Sequence, residues 1–168
     1  ALYGIYNIST PVNENYNYNN VINLIHSGTG ITYGLYTNTA TGVRTVSNNL
    51  ISNISTFGTT VGGIYQLSSA PTIFNNKVYE VISYSSGAPT VFGIMIGSTG
   101  TANNANVYNN IIGNLKAPFA STSSATTPTL RGINLTSTTA TTTLNVSYNT
   151  IYLDAQSTGA NFGTCGLF

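Results

Sequence analysis

The sequence predicts an all-β chain wound as a right-handed parallel β-helix, a β-solenoid of about five coils with an asparagine ladder at one corner. Three observations predict it. A short glycine signature returns along the whole chain. An asparagine signature falls between successive glycines, in strict alternation with them. The composition, dominated by Thr, Ser, Asn, Val, Ile, Tyr and Gly, favours strands and turns over helices.

The glycine signature is any residue, then Gly, then Ile or Leu. Its glycines are Gly4, Gly34, Gly63, Gly93, Gly132 and Gly166, spaced by 30, 29, 30, 39 and 34 residues. The residues after them, Ile5, Leu35, Ile64, Ile94, Ile133 and Leu167, form an aliphatic column expected to face inward. Strand alternation puts each glycine and the residue after the aliphatic one on the outside. The outer column then reads Tyr6, Tyr36, Tyr65, Met95, Asn134 and Phe168, and Tyr6, Tyr36 and Tyr65 are a candidate ligand strip.

The asparagine signature appears as NYNNVINLI, VSNNLISNI, IFNNKVYEV and VYNNIIGNL, with VSYNTIYLD in the last unit. Aligned on its second asparagine, it gives Asn20, Asn49, Asn76, Asn110 and Asn149. Aliphatic residues follow two and, except for Asp154, five positions later. A corner between two sheets needs a residue that tolerates the left-handed conformation, as Asn and Gly do. Stacked at the strand repeat of about 4.8 Å, such asparagines can form an amide ladder. One asparagine per coil is thus expected to do both jobs, turning and laddering.

A unit of about 30 residues with short β-rich runs cannot bury its own apolar face, but stacked copies can. Equivalent strands would run parallel, joined by the rest of the coil, with the usual right-handed crossover. The whole chain, 1–168, reads as one solenoid segment with coils at approximately 3–32, 33–61, 62–91, 92–130 and 131–164. The long fourth unit carries a Ser/Thr/Pro-rich stretch, 116–130, read as a surface-loop insertion.

These signatures resemble the right-handed parallel β-helix repeats of the pectate-lyase-like fold. VSYNTIYLDA, residues 146–155, is similar to the Asn/Thr-rich repeats of large secreted surface proteins of the Bacteroidota. The resemblance covers essentially the whole chain and speaks to architecture, because the fold hosts lyases, hydrolases, adhesins and spacers.

Charged residues make up only 4% of the chain, with a net charge of +1. That is too sparse for nucleic-acid binding or a polybasic membrane patch, and no apolar run is long enough for a transmembrane helix. The chain starts without a signal-like segment, so any signal peptide is expected to be gone already. The single cysteine, Cys165, forms no internal disulfide framework. For an enzyme, the resemblance implies carboxylates converging on Ca²⁺ or on a glycosidic bond. Only Glu14, Glu80 and Asp154 are available, in different units and at different points of the coil. His26, the one histidine, reads as a polar residue at a strand end.

The expectation is therefore a non-catalytic, extracellular structural or adhesive segment, without cofactor or metal, from a long surface adhesin or a filament. Both ends fall at the same point of the repeat, so its partners would be neighbouring solenoid coils or copies of itself end to end. Two alternatives stay open: a carbohydrate-binding module using the Tyr6, Tyr36 and Tyr65 strip against surface polysaccharide, and a scaffold fragment of a polysaccharide-degrading enzyme.

Overall fold

A computed structural model of the chain describes residues 1–9, 13–38, 42–67, 70–97, 104–121, 127–136, 143–153, 155 and 163–168. Sixteen strands and no helix occur among them. The first circuit is β1 (Leu2–Asn7), β2 (Asn13–Asn17) and β3 (Asn20–His26). The second is β4 (Thr32–Asn38), β5 (Val43–Ser47) and β6 (Leu50–Thr56). Then come β7 (Thr60–Leu67), β8 (Ala70–Phe74) and β9 (Lys77–Ser83), followed by β10 (Thr90–Gly97), β11 (Asn104–Tyr108) and β12 (Ile111–Lys116). β13 (Leu130–Thr136), β14 (Thr143–Ser147) and β15 (Thr150–Tyr152) follow, and β16 (Thr164–Leu167) rejoins the first sheet.

Every third strand pairs, always in parallel. Sheet A runs β1-β4-β7-β10-β13-β16, sheet B β2-β5-β8-β11-β14 and sheet C β3-β6-β9-β12-β15. The chain is thus a three-sided parallel β-solenoid. Between β2 and β14 it climbs four strand steps, about 19 Å at the usual spacing.

The core is a set of aliphatic columns. Leu35, Ile64, Ile94 and Ile133 stack inside sheet A, and Val46, Ile73 and Val107 inside sheet B, all fully buried. In sheet C the buried pairs Ile51/Ile54, Val78/Val81 and Ile112/Leu115 are three residues apart, an odd interval that simple alternation would send to opposite faces. A left-handed residue in each strand restores the face: Asn23, Asn53, Glu80 and Asn114, at φ 62°, 53°, 57° and 54°. These four lie in register and form a bend column running up sheet C.

The signature glycines do not face outward as alternation suggested. A Cβ on Gly34 would collide with Ile51 across the interior, and one on Gly63, Gly93 or Gly132 with Val78, Ile112 or Ile151. None of these glycines has a positive φ, so close approach of sheets A and C, rather than conformational freedom, is what demands glycine.

Of the stretch 116–130, expected to be a surface-loop insertion, residues 122–126 lie outside the described residues, and the described flanks pack against the solenoid. Lys116 closes β12, Ala117 and Ala120 are buried against the core, and Leu130 opens β13. The Ser121 N–H donates to the Gly87 carbonyl at 3.0 Å, tying the start of the stretch to the preceding circuit.

Candidate functional site: the amide corner

The B–C corner divides between two adjacent residues the two jobs expected of one asparagine. The left-handed position is held by Tyr18, Asn48, Asn75, Asn109 and Tyr148, at φ 59°, 55°, 54°, 55° and 55°. The next residue, Asn19, Asn49, Asn76, Asn110 or Asn149, carries the ladder. Its side-chain Nδ2 and its backbone N–H both donate to the Oδ1 of the following rung. The Nδ2 distances are 2.9 Å from Asn19 to Asn49, 2.8 Å from Asn49 to Asn76, 2.9 Å from Asn76 to Asn110 and 2.9 Å from Asn110 to Asn149. The backbone distances are 2.9, 3.1, 3.0 and 3.0 Å. The second Nδ2 hydrogen reaches back to a sheet-B carbonyl of the previous circuit: Asn49 to Tyr16, Asn76 to Val46, Asn110 to Ile73 and Asn149 to Val107. Asn49, Asn76 and Asn110 are buried without loss because the two Nδ2 hydrogens and the Oδ1 of each are engaged, while the end rungs Asn19 and Asn149 are half-buried.

The first rung is Asn19, not Asn20. Asn20 pairs with Leu50 at the start of sheet C and is exposed. The run of asparagines in NYNNVINLI hides a one-residue offset. Val21 and Leu24, not Ile22 and Ile25, therefore pack against the core, while Ile22 and Ile25 are 47% and 64% exposed. Val21/Leu24 and Ile22/Ile25 share the same aliphatic spacing, one residue out of step, so the sequence pattern alone fits either rung.

Outside the ladder, the left-handed column is solvent-facing. Tyr18 and Tyr148 are 78% and 86% exposed. Beside Tyr18, along the first three circuits, an open groove of about 560 Å³ is bordered by Tyr18, Asn48, Leu50, Asn75, Lys77 and Tyr79. No carboxylate borders it.

Tyr6, Tyr36 and Tyr65 do line up on the outer face of sheet A. A second file, Tyr3, Tyr33, Gly62 and Phe92, runs beside them, and Phe92 lies over Gly62. The rings pack mainly on each other. Tyr6 and Tyr36 are stacked, with centroids 5.4 Å apart and planes at 10°, and Tyr36 meets Tyr65 edge-on at 5.2 Å. Tyr33 and Phe92 are buried, and burial with neighbouring tyrosines raises the Tyr33 phenol above its ordinary value.

Inside the first two circuits lies a polar cluster that inspection of the sequence missed. Arg44 is fully buried and its Nε stands 2.6 Å from Oε2 of Glu14. Asn7 Nδ2 donates to Glu14 Oε1 and to the Tyr16 hydroxyl, each at 2.7 Å, and that hydroxyl donates to Glu14 Oε2 at 2.8 Å. Burial first, then the bond to Glu14, pushes the Tyr16 phenol up to about 12. Glu14 and Arg44 are partners in register, one circuit apart, and their equal offset from Tyr16 and Val46 was the available signal. The interior file Asn7, Thr37, Gln66, Ile96 and Leu135 grades from polar to apolar in the same direction.

The two described acidic residues, Glu14 and Glu80, occupy different settings. Glu14 is held inside by Arg44, Glu80 sits in the sheet-C bend column, and Asp154 lies outside the described residues. No cluster of three His, Cys, Asp or Glu side chains suited to a metal occurs among the described residues. The His26 ring shares a 2.9 Å hydrogen bond with Thr32 Oγ1 at the end of β3. Comparison with protein-family models, curated proteins and solved structures finds no match.

Proposed function

We propose that the chain is a non-catalytic, extracellular structural or adhesive segment, a stiff β-solenoid stretch of a surface protein or filament. The observation that carries this reading is the ladder from Asn19 to Asn149, which ties each circuit to the next through side-chain amides that are fully enclosed in the middle rungs. A column in which each layer needs its neighbours extends by adding layers, as repeat proteins do. The sparse charge, 4% of residues, makes such a rod insensitive to salt. The finer kinship, to pectate-lyase-like helices and to Bacteroidota surface repeats, rests on sequence pattern alone. The partners proposed are adjoining solenoid coils or further copies stacked end to end.

The carbohydrate-module alternative fares less well on sheet A. Stacked rings such as Tyr6 and Tyr36 cover each other's faces, and a sugar needs an open face. An enzyme scaffold would need acids from elsewhere, since two-carboxylate glycosidase chemistry requires a pair roughly 5–10 Å apart across one bond. The test is incubation of the chain with a panel of acidic and neutral polysaccharides. No new reducing ends or unsaturated products are expected. Release of either by the purified chain would refute the non-catalytic reading.

A further inference from the structure

We infer that the outer face of the B–C corner is a binding strip for a linear, hydroxyl-rich glycan lying along the solenoid axis. The inference deepens the adhesive half of the proposed function by giving it a surface and a ligand class.

The first observation is misplaced tyrosine. The left-handed corner position holds asparagine in the three middle circuits but Tyr18 and Tyr148 in the outer two, at φ 59° and 55°. A bulky side chain is strained there, whereas asparagine is tolerated. Neither tyrosine regains stability by packing, since both are more than three-quarters exposed, at 78% and 86%. Strain without burial marks a residue kept for something other than the fold.

The second observation is what lies between and beside them. Asn48 and Asn75 line the groove with side-chain amides that are linked, Asn75 Nδ2 donating to Asn48 Oδ1 at 3.4 Å and Asn48 Nδ2 to Ser47 Oγ at 3.1 Å. Each keeps a further N–H and a lone pair for a ligand. Lys77 adds an ammonium donor, and Tyr79, outward on sheet C, supplies another aromatic face. Carbohydrate recognition uses this combination. Aromatic faces take the C–H faces of a pyranose, and planar amides donate to and accept from its hydroxyls. The amides repeat once per strand step of about 4.8 Å, close to the length of one sugar in an extended chain. Tyr18 and Tyr148 stand four steps apart and bracket the strip. A groove this shallow and open fits a polymer laid along it better than an enclosed small molecule.

The test is titration of the folded chain with linear β-linked hexasaccharides of glucose, mannose, xylose and galactose, at low and high salt. At least one is expected to bind, with little salt dependence. Tyr18→Asn and Tyr79→Ala should each weaken it at least tenfold, while Tyr6→Ala leaves it unchanged. Tyr18→Asn is the discriminating variant, because it restores the residue suited to the corner. Its melting temperature should rise as its affinity falls, which a purely structural tyrosine would not produce. The inference is overturned if no hexasaccharide binds, if Tyr6→Ala is the damaging change, or if Tyr18→Asn instead abolishes concentration-dependent self-association. A chain that binds no sugar and cleaves none would sink this inference and leave the rod intact.

Discussion

Oδ1 of Asn76 accepts two hydrogen bonds from Asn49, one from its Nδ2 at 2.8 Å and one from its backbone N–H at 3.1 Å. The same carboxamide donates onward to Asn110 at 2.9 Å and back to the Val46 carbonyl at 2.8 Å. Asn76→Ala removes these bonds and strands partners in a dry interior. The expected loss is about 1–3 kcal/mol, read from urea unfolding. Asn75, one residue earlier, has the turning role instead. Asn75→Gly should be nearly neutral and Asn75→Val should cost about 1–2 kcal/mol, whereas Asn76→Gly should hurt as much as Asn76→Ala.

Gly63→Ala should destabilise by about 1–3 kcal/mol, since its Cβ would overlap Val78 and crowd the Gly93 carbonyl. Adding Val78→Ala relieves the first clash but not the second. Calorimetry should therefore show that Gly63→Ala costs less in the Val78→Ala background than in the unaltered chain, but still costs something.

Replacing one partner of the interior ion pair leaves the other uncompensated. Arg44→Met or Glu14→Leu alone should cost about 3–5 kcal/mol, and the double change should recover most of it. Equilibrium unfolding of the three variants closes the cycle.

Tyr16 links stability to alkaline pH. Its phenol titrates near its ordinary value in the unfolded chain and at about 12 in the folded one. The folded state therefore holds the proton more tightly. The contribution is fully present below pH 10 and is lost as pH rises towards 12. Melting temperature should fall across that window, and Tyr16→Phe should flatten part of the fall, the remainder belonging to Tyr33, Tyr65 and Tyr3.

Glu80 is the one member of the sheet-C bend column that is not asparagine, yet it sits at φ 57°. Glu80→Asn should raise stability by several tenths to about 1 kcal/mol, measured as a shift in the urea midpoint.

The all-β solenoid and most rungs of its corner were readable because a repeat multiplies a weak signal. One asparagine pair is a turn, but Asn49, Asn76 and Asn110 recurring between fixed glycines imply stacking. The first rung was misread because Asn17, Asn19 and Asn20 crowd one segment, and only burial of Val21 over Ile22 decides among them. The orientation of Gly63 was misjudged because alternation was applied where the interior is too narrow for it. The bend column is legible in Asn23, Asn53 and Asn114, each four residues past a rung, but Glu80 at the same offset from Asn76 interrupts the pattern. The Glu14–Arg44 contact is harder to read, because it joins two single charges that do not recur in other circuits and meet only through the register between neighbouring strands.

Each rung also fixes the sense of the next. With Oδ1 of Asn76 claimed by the main chain of Asn49, its carboxamide has a single permitted orientation, and so has that of Asn110. Reversing any one would set oxygen against oxygen on one side and hydrogen against hydrogen on the other. The file thus behaves as a row of compass needles that must all agree, and an error in one layer is felt by its neighbours before it can be tolerated.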